Sequence, residues 1–78
     1  MTNMEKYEKA FIDTFGMSKD RLADLKYQEI PQWDSVGHMS LIAALEEDFD
    51  IMFDTDDIIG FSSFEKGKEI IKKYNVEL

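Results

Sequence analysis

Trp33-Asp34-Ser35-Val36-Gly37-His38-Met39-Ser40-Leu41-Ile42-Ala43-Ala44-Leu45-Glu46-Glu47-Asp48-Phe49 is the stretch that decides the fold. Asp34 and Ser35 are both good N-cap residues. Leu41, Leu45 and Phe49 follow at steps of four, on one face of a helix. The spacing therefore predicts a helix over 35–49. Its far end carries three consecutive acids, Glu46, Glu47 and Asp48. Gly37 costs such a helix on the order of 1 kcal/mol in its interior and less near an end.

Upstream, Pro31 pushes Ile30 toward extended backbone and keeps the chain non-helical until Asp34. Residues 17–33 form a connection of unusual length for a small domain. Leu22, Leu25, Tyr27 and Ile30 are its apolar anchors, and Ser18 is placed to cap a short turn. Further back, Thr2-Asn3-Met4-Glu5 has the form of a capping box. Met4, Tyr7, Phe11 and Phe15 make a helical stripe, and Gly16 stands where a left-handed cap belongs. These signals predict a first helix over about 3–15.

Downstream, Ile51 and Phe53 alternate in an extended connector. Asp54 or Thr55 caps a short helix over Asp56-Asp57-Ile58-Ile59, with its acids at the positive helix end and Gly60 as its stop. Ser62-Ser63-Phe64-Glu65 reads as a second capping box. The last helix follows, with Phe64, Ile70, Ile71 and Tyr74 inward and lysines 66, 68, 72 and 73 mostly in water. The expected fold is all-α: a small bundle of three main helices plus one short helix, in one domain over 1–78. No segment reads as a strand.

The chain has 78 residues and no cysteine. A domain this small buries roughly 60% of its unfolded surface and is marginally stable without staples. Without cysteine there is no disulfide and no thiolate metal site, and any thioester chemistry needs a thiol from a cofactor. No apolar stretch is long enough to span a membrane, and no charged-then-apolar leader opens the chain. The expectation is a soluble, cytoplasmic monomer.

The net charge of −8 is unevenly placed. No Lys or Arg lies between Lys26 and Lys66, a stretch with ten acids; the rest has seven acids and nine bases. This argues against nucleic acid or an anionic membrane as partner of the acidic face. It favours basic protein surfaces, because complementary fields speed encounter.

Ser35 has the wrong neighbours for nucleophilic catalysis. Activation needs a base in reach and a third group to orient it. His38, the only histidine, is three residues on and is expected to be solvated on the first turns of its helix. No glycine-flanked elbow surrounds the serine. A calcium loop opening at Asp54 would place acids at positions one, three and twelve (Asp54, Asp56, Glu65). Position five would be Ile58, and position six Ile59 instead of glycine, which breaks the EF-hand requirements. A modification site asks less: an exposed hydroxyl at a rigid helix start, where free N–H groups and the helix dipole favour a phosphodiester.

The stretch from Asp34 to Phe49 resembles the signature of the acyl carrier protein family: Asp-Ser-aliphatic, then Leu41, then Leu45-Glu46-Glu47-acid-Phe49. In the family the serine lies ten residues before the leucine of Leu-Glu-Glu, as Ser35 does before Leu45. The order of a first helix, a long loop, an acidic connector and a last helix matches as well, so the resemblance covers essentially the whole chain. It implies no catalytic residue and no metal. It implies that Ser35, with Asp34 as motif and cap residue, receives 4′-phosphopantetheine from coenzyme A through a phosphopantetheinyl transferase (holo-carrier synthase). The arm's thiol would then hold an acyl or aminoacyl group as a thioester. Val36, Glu46, Glu47, Asp48, Asp56 and Asp57 would meet basic surfaces of acyl-loading and acyl-processing enzymes. Leu41, Ile42, Leu45, Phe49, Ile58 and Ile59 would pack the bundle and could shelter an apolar acyl chain.

The chain departs from the pattern of fatty-acid carriers. Gly37, His38 and Ser40 stand where those usually carry acids, and Trp33 adds bulk next to the attachment site. These departures suit a carrier for a dedicated pathway, such as polysaccharide decoration or specialised metabolite assembly. An aminoacyl or peptidyl carrier is the alternative within the family. A plain acidic helical adaptor is the alternative outside it. Ser40 as the attachment point would sit mid-helix, at the wrong distance from Leu45.

Overall fold

Thr2 and Glu5 close the expected capping box: the Thr2 N–H donates to Glu5 Oε1 at 2.8 Å, and the Glu5 N–H donates to Thr2 Oγ1 at 3.1 Å. From this cap α1 runs over Asn3–Phe15 in the computed structural model, which describes residues 1–78. Gly16 ends it at φ 64°, a left-handed cap that glycine adopts without steric cost. Next come a 3-10 turn at Lys19–Arg21, α2 at Ser35–Phe49, α3 at Thr55–Gly60 and α4 at Phe64–Lys72. The protein is thus an all-helical bundle, as expected. The one piece of sheet-like pairing is an isolated bridge between Lys26 and Ser63.

One local expectation is corrected. Ser63, not Ser62, caps α4, its hydroxyl accepting from the Lys66 N–H at 2.9 Å. The N3 residue is therefore Lys66, so Glu65 cannot close a box with Ser62. α3 ends at Gly60 as expected, and Phe61, buried at 1% exposure, caps it.

One hydrophobic core of 15 buried residues draws on α1, the long loop, α2, Phe53 and Phe61 on either side of α3, and α4. Phe11 is its hub. Its ring centroid lies 5.0–6.2 Å from those of Tyr7, Phe15, Trp33, Phe61 and Phe64. Edge-to-face pairs of this kind contribute roughly 0.5–1.5 kcal/mol beyond their buried area. Tyr7 is fully buried, and its hydroxyl donates to the Phe64 carbonyl at 2.6 Å, joining α1 to α4. Burial, with the Glu65 charge adding to it, pushes the Tyr7 hydroxyl far above its ordinary pKa, so it stays a donor.

The long connection is structured as its anchors predict. Leu22 and Leu25 are buried. The Tyr27 N–H donates to the Ser62 carbonyl and the Phe64 N–H to the Leu25 carbonyl, each at 2.9 Å. These bonds strap the loop to the start of α4. At its end, Trp33 closes a tight turn, its N–H donating to Ile30 and its carbonyl accepting from Gln28. Gln28 takes the left-handed φ of 66° that this turn requires.

Candidate functional site

The Asp34 side chain accepts from the Gly37 N–H at 2.8 Å and caps α2. Ser35 is therefore the first helical residue, and its side chain is exposed. The backbone N–H groups of Ser35 and Val36 donate to no protein acceptor. Two free donors thus stand beside an exposed hydroxyl, at the positive end of a 15-residue helix. Ser35 Oγ lies 3.4 Å from the Tyr27 hydroxyl, so the long loop reaches the serine.

His38 is not solvated. Its ring is half-buried. Nδ1 accepts from Trp33 Nε1 at 2.9 Å, which leaves Nε2 as the protonated nitrogen, donating to the Ile58 carbonyl at 2.8 Å. Both ring nitrogens are engaged. It stacks on Trp33 at 6.2 Å and 17°, and meets Tyr27 at 5.2 Å. It therefore cannot act as a base for Ser35, and it joins the end of the long loop to α3. Sequence reasoning missed it because its partners lie five residues behind and twenty ahead, with no local pattern.

Trp33 is corrected too. It is fully buried, stacked on Phe15 at 5.3 Å. It fills the core beneath the serine and presents no bulk to a partner. Gly37 has a packing reason instead of a recognition one: a Cβ there would overlap the Gln32 carbonyl oxygen. The Gln32 side chain donates to the Phe15 carbonyl at 3.2 Å, which ties this close approach to the end of α1. Position 37 has no room for an acid, whereas Ser40 is exposed.

The expected recognition residues divide. Val36 is 76% exposed and Met39 53%. With Ser40, Ala43 and Glu47 they make the outward stripe of α2, opposite Leu41 and Leu45. Met39 lies one helical turn from Val36, so the same spacing places it on this stripe. Glu46 is engaged internally, Oε2 accepting from the Phe53 N–H at 2.9 Å. Asp57 is engaged as well: its side chain is 13% exposed and accepts from Lys73 Nζ and the Tyr74 hydroxyl, each at 2.5 Å. Those hydrogen bonds, Lys73's first, hold its carboxyl below the usual Asp range. Glu47 and Asp48 line a depression shared with Lys6 and Lys9 of α1. Glu47 and Asp48 therefore have lysines beside them, while Asp56 is exposed at the start of α3. At 1.5 Å per residue, Glu47 lies about 18 Å along the helix from Ser35. The surface next to the serine is apolar and uncharged on α2.

Ile59, expected inside, is 76% exposed. Leu41, Ile42 and Leu45 are buried as expected, with Phe49 and Ile58 packed at the edge of the core. No group of three or more His, Cys, Asp or Glu side chains is arranged to hold a metal ion, and no helix is long and apolar enough to cross a membrane. No protein-family model, curated protein or solved structure matches the chain.

Proposed function

We propose that the protein is a carrier whose Ser35 holds a 4′-phosphopantetheine arm, in the manner of the acyl carrier proteins it resembles in sequence. The observation that carries this reading is the placement of Ser35: exposed, first in α2, capped by Asp34, with two free backbone N–H groups beside it. Attachment would form a bond from Ser35 Oγ to the pantetheine-side phosphorus of coenzyme A. The pyrophosphate P–O bond breaks, 3′,5′-ADP leaves, and the serine proton passes to a base of the transferase. The free N–H groups would then face the phosphodiester. The arm supplies a thiol, which a chain without cysteine lacks. Asp34 keeps the helix start rigid, and Val36 and Met39 offer a partner enzyme an apolar surface beside it.

A cargo pathway distinct from fatty-acid elongation remains part of the proposal, on narrower grounds. Ser40 and the apolar stripe leave the first turns of α2 without charge; Trp33 and Gly37 no longer bear on recognition. The reading is tested by incubating the protein with coenzyme A and a promiscuous phosphopantetheinyl transferase. Intact mass should rise by one arm in the wild type and not in Ser35→Ala. An adaptor without prosthetic group would gain none in either.

A further inference from the structure

His38 joins α2 to α3 through the Ile58 carbonyl and takes a hydrogen bond from Trp33 at the end of the long loop, and it does so at the wall of the depression that reaches Ser35 through Tyr27. Behind this chain the space is filled. Trp33, Leu41 and Leu45 are fully buried, Ile42 is 1% exposed, and Phe61 packs at 6.1 Å against both His38 and Phe53. The protein has four depressions, and none is lined by Trp33, Leu41, Ile42 or Leu45. The one nearest Ser35 begins at Tyr27 and is bounded by His38, Ile58, Ile59, Phe61 and Ser62, with a volume of 260 Å³. It lies below the roughly 300–1,000 Å³ of pockets that enclose a small molecule. Displacing the imidazole would leave the indole N–H without its acceptor and the Ile58 carbonyl with the Phe61 N–H alone, at 3.4 Å, a cost that an entering alkyl chain cannot offset with hydrogen bonds of its own.

We propose that His38 is a specificity-determining residue that keeps the bundle closed to the carried group. Resting on the carrier reading, this assigns the cargo to short or polar acyl groups, presented outside the core. A long alkyl chain would stay in contact with water, or with the partner enzyme.

The chain has no cysteine, so Ser35→Cys introduces a single thiol at the attachment point. It can be labelled with methyl or dodecyl methanethiosulfonate, and both forms compared by melting temperature and by the Trp33 indole N–H resonance. With His38 in place, the two forms should melt within about 1 °C of each other, far less than the ten degrees or more expected for burying such a chain. Their indole resonances should coincide. In the His38→Ala background the dodecyl form should melt several degrees above the methyl form. Trp33→Phe keeps a ring in the core and removes the donor, and should give the same chain-length dependence if His38→Ala does not fold. A dodecyl-dependent rise in melting temperature with both Trp33 and His38 in place overturns the proposal, as does the absence of any such rise in the opened variants. The comparison needs no transferase. Failure of Ser35 to accept the arm therefore removes the carrier reading alone, and a length-dependent wild-type response removes the closed bundle alone.

Discussion

Trp33 Nε1 donates to His38 Nδ1 at 2.9 Å, and this bond fixes the tautomer that lets Nε2 hold the Ile58 carbonyl. One imidazole thus satisfies two polar groups at the edge of an aromatic core. His38→Ala leaves the indole N–H unpaired and the Ile58 carbonyl with only the Phe61 N–H at 3.4 Å, and should destabilise the protein by about 1–3 kcal/mol, the cost of leaving a buried polar group unpaired. For a domain of this size that corresponds to a fall of several degrees in melting temperature. A solvated histidine would give almost no change.

Gly37 and Gly67 both sit inside helices, where alanine is ordinarily favoured by roughly 1 kcal/mol. The structure predicts the reverse here. A Cβ at 37 meets the Gln32 carbonyl oxygen, and one at 67 meets the Phe61 ring and the Tyr7 hydroxyl. Gly37→Ala and Gly67→Ala should each lower stability, by about 1–3 kcal/mol as overpacking does. Denaturant midpoints measure this; a rise in either variant would mean that propensity outweighs the contact.

Asp57 links α3 to the end of α4 through Lys73 and Tyr74, and the Tyr74 hydroxyl also accepts from the Asp54 N–H at 2.9 Å. The Lys73 hydrogen bond, followed by that of Tyr74, depresses the Asp57 carboxyl below its ordinary 3.8. A depressed folded-state value stabilises the protein above the unfolded value, and that contribution is lost as pH falls through the folded one. The melting temperature of wild type should therefore exceed that of Asp57→Asn at neutral pH, and the gap should close in acid. A gap that is constant with pH would assign the difference to packing instead of charge.

Recognition should be apolar near Ser35 and electrostatic only at a distance. Val36→Asp places a charge on the exposed stripe and should lower transferase kcat/KM about tenfold at any salt, the loss of part of a buried valine's contribution. Glu47→Lys, about 18 Å away along α2, should matter at low salt and fade as the Debye length falls to about 3 Å at 1 M. Equal salt dependence in the two variants would contradict this division.

Helix positions and the core faces of α1, α2 and α4 were legible in the sequence because caps and periodicity are local. Asp34, Thr2 and Gly16 do what their positions imply. The site's second layer was not legible. Trp33 read as a bulky neighbour of Ser35, yet the turn from Ile30 sends its ring into the core. Gly37 read as a missing acid, yet it is where the Gln32 carbonyl crosses α2. Glu46 and Asp57 read as docking acids, yet the Phe53 N–H and the Lys73–Tyr74 pair engage them. Each of these depends on a partner distant in sequence, or on the path of an irregular loop, to which periodicity is blind.

Ser35, and not Ser40 five residues on, is the proposed attachment point. Fragmentation mass spectrometry of the peptide spanning α2, after treatment with coenzyme A and a transferase, tests it most directly. One phosphopantetheine is expected on Ser35, retained in Ser40→Ala and lost in Ser35→Ala. An arm mapped to Ser40, or an unmodified peptide under conditions that load a known carrier, would contradict it.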